Sequence, residues 1–202
     1  NFVTPGVVRA AEVLRQMAPR GLGHLVLASS REEIVDKGLR ALKFHRGEGS
    51  VALAIGPVDV GTLTAASRSL SLPATHPENW FGWPTTADPT VDPEQALADI
   101  DELLTSTDPA SILGAVIEPV YGRTGRVVPE GFWVALKERL SGQGVPLVVV
   151  EHTTGGFRSG RGMWRSDSLP VRPDAVWWYP GGQLGLAFLS DTTYVPDKLT
   201  LI

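Results

Sequence analysis

The sequence predicts an α/β protein, a three-layer α/β/α domain with a mostly parallel β-sheet. Two observations favour this class. Short apolar runs rich in Val, Ile and Leu alternate along the chain with segments of helical periodicity. These runs are continuously apolar and do not alternate with polar residues, which is typical of parallel strands covered by helices on both faces. With 202 residues the chain is long enough for one substantial core, so we expect a single domain over residues 1–202.

Helical periodicity and capping residues predict the helices. Pro5 is well placed in the first turn of an amphipathic helix. Ser29 or Ser30 is placed to cap a second helix, and Asp92 to cap a third. The predicted helices span residues 6–19, 30–45, 93–104 and 130–140.

Apolar runs bounded by Gly, Pro and Ser predict the strands. The predicted strands span residues 24–29, 51–55, 112–117, 147–150, 175–179 and 184–189. Residues 63–72 fit either a helix or an irregular segment, and the stretch 73–93, rich in Pro and Trp, predicts a long excursion without regular structure.

Composition excludes several classes of protein. The formal net charge of -4 gives no support to a surface that binds nucleic acid or anionic membrane, so neither partner is expected. The chain has no cysteine, which excludes disulfides and thiolate chemistry. No apolar run approaches the roughly 20 residues of a membrane helix, and no signal peptide is visible. We therefore expect a cytoplasmic protein.

The loop that follows the strand at residues 147–150 is the first candidate for a functional site. In an open α/β sheet, ligands bind beyond the carboxyl ends of the strands. Glu151 and His152 stand at this point and are candidates for general acid/base chemistry. The alternative is a hydrogen-bonded pair at the entrance of a loop. Side chains of adjacent strand residues point to opposite faces, so both can reach one substrate only if the strand has already ended.

Two glycine-rich loops and one aromatic run are further candidates. The loops at residues 122–125 and 155–162 contain Arg123, Arg158 and Arg161, and such loops can hold an anion with backbone N–H groups. They are equally well explained as tight turns with solvated arginines. Trp178 can stack on a ligand ring or belong to the core. The four histidines lack the spacing of metal ligands, so no metal site is expected.

Four segments occur in an order that is found in a known enzyme family. They are SSREEIVDKGLRALK (29–43), AVIEPVYGRTGRVVP (115–129), PLVVVEHTTGGFRSG (146–160) and PDAVWWYPGG (173–182). Together they resemble the large domain of class III pyridoxal-phosphate (PLP) aminotransferases of the ornithine and acetylornithine type. The third segment is similar to that family's loop of the form DEVQTGFGRTG, and the fourth to the strand that carries its PLP-binding lysine. The resemblance covers nearly all of the chain.

The resemblance implies the fold of that large domain, with the family's small domain absent, because the chain begins after the family's N-terminal part and stops where its C-terminal part would start. It also implies a homodimer, or a heterodimer with a related subunit, since the family's active dimer is built largely through this domain.

This chain departs from the family pattern at the positions that would bind the cofactor. The position of the lysine that binds PLP falls at or next to Pro180, which has no amine, and the chain's four lysines lie elsewhere. The aspartate that pairs with the pyridine nitrogen falls on Glu151, and the acidic residue after it becomes His152. The Gly-Ser pair that holds the phosphate falls on Arg31 and Glu32.

The family's aromatic-His-Gly, which stacks on the cofactor ring, falls near residues 59–61, where no aromatic residue stands. These losses remove the lysine that binds PLP covalently, the residues that bind its phosphate and the aromatic residue that stacks on its ring. Cofactor chemistry requires that the protein position the reactive atom of the cofactor and adjust its electronic properties. We therefore expect a protein without cofactor that is unable to transaminate.

Two functions fit these expectations. The first is a non-catalytic partner or scaffold subunit. The second is a cofactor-independent enzyme that uses the vacated cleft for a cyclisation, dehydration or hydrolysis, with Glu151 or His152 as acid or base. The polar residues left at the strand ends, which would bind a ligand in the second case, are Glu118, Tyr121, Glu151, His152 and Arg158.

Overall fold

The computed structural model describes residues 4–47, 49–60 and 82–196. Within these residues the helices are α1 (Pro5–Gln16), α2 (Arg31–Arg46), α3 (Pro93–Ser106) and α4 (Glu130–Gly142), and the strands are β1 (His24–Ala28), β2 (Val51–Ala54), β3 (Ile112–Ile117), β4 (Leu147–Val150), β5 (Ala175–Gly181) and β6 (Leu184–Leu189). The ambiguous segment 63–72 and residues 73–81 of the predicted excursion lie outside the described residues.

The six strands form one sheet in the order β1-β6-β5-β4-β3-β2. Strands β2, β3, β4 and β5 are parallel neighbours, and β6 is antiparallel to both β5 and β1. The prediction of an α/β fold with a mostly parallel sheet is therefore confirmed. The parallel arrangement places the carboxyl ends of β2, β3 and β4 at one edge of the sheet.

The helices begin where the capping residues indicate. Ser30 precedes α2, and its hydroxyl accepts a hydrogen bond from the Glu33 N–H at 3.0 Å. Asp92 precedes α3 and accepts in the same way from the Gln95 N–H at 2.9 Å. Each cap satisfies a backbone donor that has no partner inside its helix.

Two apolar clusters cover the two faces of the sheet, which gives the three layers. Along β4, Leu147 and Val149 belong to the cluster that includes α3 and α4, whereas Val148 and Val150 belong to the cluster that includes α2. All four side chains are fully buried, as expected for a central parallel strand.

Helix α2 lies unusually close to the sheet at one point. A methyl group placed on Gly38 would come within 2.4 Å of the Trp177 ring of β5. Because no real Cβ atom tolerates that distance, only glycine allows this approach.

At the end of α2, the side chain of Arg46 joins three segments. Its guanidinium donates to the carbonyl of Ile112 at 3.0 Å, to that of Gly144 at 2.8 Å, and to that of Pro109. One cation therefore satisfies carbonyl groups at the start of β3, in the loop before it, and in the loop between α4 and β4.

Strand β5 departs from the prediction, because it continues beyond residue 179 to Gly181. Pro180 therefore lies inside a strand. The pairing of β5 with β6 is irregular between Trp178 and Gly181, which accommodates a residue without an N–H. None of the helices in the described ranges combines the length and apolarity that crossing a membrane requires.

Candidate functional site

The carboxyl edge of the sheet brings several of the sequence-predicted residues together. Glu118 follows β3, and Glu151 and His152 follow β4. Asp59 follows β2, and Arg31 stands at the first turn of α2. The contacts of these side chains decide what the edge can do chemically.

Glu151 is fully buried, and both of its carboxyl oxygens are bound by its own chain. The donors are the Thr154 hydroxyl at 2.6 Å, the Ser166 N–H at 2.6 Å and the Arg165 N–H at 3.2 Å. Thr154 lies near the start of the loop that connects β4 to β5, and Arg165 and Ser166 lie in its second half. Glu151 therefore holds two separated parts of that loop together by hydrogen bonds.

His152 directly follows Glu151 but faces a different environment, because the backbone of Glu151 still pairs with β5 through its N–H and the Trp177 carbonyl at 2.8 Å, and adjacent strand residues point to opposite faces. Its two ring nitrogens are shielded from solvent and have no hydrogen-bond partner in the part of the chain that the structure describes. Burial, with a smaller contribution from the nearby Arg31 cation, lowers the pKa of His152 to about 4. The imidazole is therefore neutral at neutral pH.

Glu118 links the loops that follow three neighbouring strands. Its buried carboxyl accepts hydrogen bonds from the Asp59 N–H at 2.7 Å and the Gly122 N–H at 3.1 Å, and the Thr153 hydroxyl lies 3.5 Å away. Burial raises the pKa of Glu118 to about 7 against the opposing effect of these hydrogen bonds. Glu118 is thus a buried carboxyl group that titrates near neutrality.

Arg31 is held by two carboxylates. Its guanidinium donates to Asp59 at 2.7 Å and to Glu32 at 3.2 Å. Sequence reasoning missed the pairing with Asp59, although its place just beyond β2 was a usable signal. The helix end that the resemblance assigns to a phosphate therefore carries two acidic groups around one cation.

Two other predicted binding residues, Tyr121 and Trp178, lie in the core. Tyr121 is fully buried and donates its hydroxyl to the carbonyl of Ile55 at 2.8 Å, and burial raises its pKa above the usual range. Trp178 is 9% exposed and meets the edge of Trp164 with ring centroids 4.9 Å apart. Their role as ligand contacts stays a prediction.

The loop arginines Arg123 and Arg158 are exposed and form no ion pair within the described ranges. In the same ranges, no group of His, Asp or Glu side chains is arranged to hold a metal ion.

Among the described residues, several positions that the resemblance assigns to PLP carry other side chains. Pro180 occupies the end of β5, and the described lysines are placed elsewhere. Lys37 binds the Leu27 carbonyl at 3.0 Å, Lys137 pairs with Asp174 at 2.6 Å, and Lys43 is an exposed residue of α2. Lys198 lies outside the described residues. Glu151, the expected partner of the pyridine nitrogen, has its oxygens bound by its own loop.

Comparison with known proteins gives the class to which this architecture corresponds. No model of a protein family matches the chain. An omega-aminotransferase of Caulobacter vibrioides is 26% identical over 197 residues, which cover 87% of this chain and 45% of the relative. A LysW-aminoadipate semialdehyde/glutamate semialdehyde transaminase of Sulfurisphaera tokodaii is 27% identical over 201 residues, which cover 98% of this chain and 48% of the relative.

Solved structures agree on the fold. A transaminase from the marine bacterium Virgibacillus superimposes with a TM-score of 0.82 at 21% identity, over 99% of this chain and 48% of that structure. An omega-transferase from Vibrio fluvialis gives a TM-score of 0.80 at 20% identity, over 99% of this chain and 52% of that structure.

The fold is that of the large domain of transaminases, and the chain is a relative of the aminotransferases. The resemblance to class III aminotransferases is thereby confirmed. The chain spans about half the length of the curated relatives it matches.

Proposed function

We propose that this chain is an aminotransferase-like protein that does not bind PLP covalently and does not transaminate, and that it acts as a non-catalytic partner or scaffold subunit. The observation that carries the proposal is the binding of both Glu151 oxygens by the Thr154 hydroxyl and two backbone N–H groups of its own loop. Because the side chain is also fully buried by its own chain, it presents no exposed oxygen to a pyridine nitrogen.

Two further observations support the proposal. Pro180 offers no amine at the end of β5, and proline cannot form a Schiff base. The first turn of α2 places Glu32 beside Arg31, and Asp59 neutralises the same cation, so a phosphate at this helix end would meet two carboxylates.

Covalent capture by PLP tests this proposal. The protein is incubated with PLP, reduced with borohydride and mapped by peptide mass spectrometry. We expect no absorbance band of an internal aldimine, and no lysine labelled above the background of the exposed Lys43. A Lys43→Arg variant supplies the control for surface labelling. Stoichiometric labelling of one lysine that survives in this variant would overturn the proposal.

As a partner, we propose either a second copy of this chain or a related subunit. Analytical ultracentrifugation of the purified chain, alone and with a related full-length aminotransferase, tests this part. A monomer in both experiments contradicts it.

A cofactor-independent enzyme is the second candidate, and His152 is the observation that favours it. The neutral imidazole has a ring nitrogen with an unused lone pair for proton transfer in the described residues, and its pKa of about 4 makes it a weak base. Glu151 contributes less to this candidate than expected, because its oxygens are already engaged. Turnover that is lost in His152→Ala but kept in Thr154→Val would favour this function.

A further inference from the structure

The loop that Glu151 closes exposes an aromatic residue in an unfavourable backbone conformation. Phe157 has a φ of 66° and is 65% exposed. A bulky residue other than glycine rarely adopts positive φ, and the conformation costs on the order of 1 kcal/mol or more. A strained backbone and an exposed phenyl ring are both unfavourable for an isolated chain.

The backbone beneath this loop is braced, so the exposure of Phe157 is not a result of a loose segment. The N–H groups of Gly156 and Phe157 donate to the Met163 carbonyl at 2.8 and 3.3 Å, and the Gly160 N–H donates to the Phe157 carbonyl at 3.0 Å. Below them, Gly155 lies so close to Trp178 that a Cβ atom would come within 2.6 Å of its indole nitrogen.

Two arginines follow Phe157 in this loop. Arg158 and Arg161 are exposed, and neither forms an ion pair or a side-chain hydrogen bond in the residues that the structure covers. Other cations of the chain are paired, as in Arg40 with Asp36 and Arg139 with Asp101, so the two guanidinium groups of this loop are left available to a partner. We name residues 157–162 the arginine loop.

We propose that the arginine loop is a docking site for an acidic protein segment that carries carboxylates beside an apolar side chain. This inference rests on the partner role proposed above and names the surface through which it operates. Arginines and aromatic residues dominate the energetics of protein interfaces, and a preorganised loop loses little entropy on binding.

The chemistry of the loop selects this occupant. The two guanidinium groups match the planar geometry of carboxylates, and the Phe157 ring adds apolar contact. Nucleic acid is disfavoured because the chain has a net charge of -4 and the loop supplies only Arg158 and Arg161 as cations.

Binding of a fluorescent peptide of alternating glutamate and leucine, followed by anisotropy, tests the inference. We expect the wild-type chain to bind it and affinity to fall with added salt. The double variant Arg158→Gln/Arg161→Gln and the single variant Phe157→Gly should each weaken binding about tenfold or more. Arg172→Gln is the matched control, because Arg172 is an exposed arginine at the opposite edge of the sheet, and it should leave the affinity unchanged.

The Phe157→Gly variant distinguishes a loss of binding from a loss of folding stability. Glycine tolerates the positive φ, so this variant should be at least as stable as the wild type while losing affinity. The inference is wrong if the wild-type chain fails to bind the peptide, if a glutamine-leucine peptide binds equally well, or if a single-stranded DNA oligonucleotide binds more tightly. These outcomes do not depend on the PLP-labelling result, so either proposal can fail alone.

Discussion

Replacing Glu151 by alanine should destabilise the fold strongly, because the side chain holds together the loop between β4 and β5. The substitution leaves the buried N–H groups of Arg165 and Ser166 without an acceptor. Each such loss costs about 1–3 kcal/mol, so the free energy of unfolding should fall by about 4 kcal/mol. For a chain of this length the midpoint of thermal unfolding should fall by roughly 8–16 °C.

Urea unfolding followed by tryptophan fluorescence measures this loss, since Trp164 belongs to the loop and packs against Trp178 of β5. Thr154→Val is the matched control. It removes one hydroxyl donor but leaves both backbone donors paired with Glu151, so we expect a loss of only about 1 kcal/mol. If the free energy of unfolding of Glu151→Ala lay within about 1 kcal/mol of the wild-type value, the role of Glu151 in holding the loop together would be refuted.

Two further predictions concern other side chains of the fold. Arg46→Met should lower the free energy of unfolding by about 2–3 kcal/mol, because three carbonyl groups lose a charged donor. The control Arg40→Met breaks one exposed ion pair within α2 and should lower it by only a few tenths of a kcal/mol. Equal losses for the two variants in urea unfolding would contradict this prediction. The raised pKa of Glu118, about 7 against 4.5, means that its stabilising contribution is complete below pH 4.5 and is lost as pH rises through 7. Glu118→Gln should therefore gain stability relative to the wild type by up to about 3 kcal/mol between pH 4.5 and 8, and parallel curves of unfolding free energy against pH would exclude this titration.

The elements that the sequence predicts best are those with an unbroken apolar run. The bounds of β3, β4 and β6 agree with the prediction to the residue, because each run ends at a polar, Pro or Gly residue. The extension of β5 to Gly181 was not predictable, since a proline ordinarily ends a central strand and only the irregular pairing with β6 accommodates Pro180.

At the candidate site, the sequence predicted which residues stand at the strand ends but not what they contact. The backbone partners of Glu151 lie 14 and 15 residues further along, in a loop whose composition has no periodicity. Arg31 and Asp59 are 28 residues apart and meet only because α2 and β2 are packed in the same fold. Pairings of this kind depend on tertiary geometry, which local patterns do not encode.

The close approach of Gly38 to Trp177 also affects residues outside the core. Helix α2 carries Arg31 at one end and Arg46 at the other, and both side chains bind groups on segments outside the helix. A side chain at position 38 would have to displace either the Trp177 ring or the helix, and a displaced helix would shift both arginines relative to their partners. The absence of a side chain at position 38 therefore contributes to the position of two arginines at opposite ends of the protein's longest described helix.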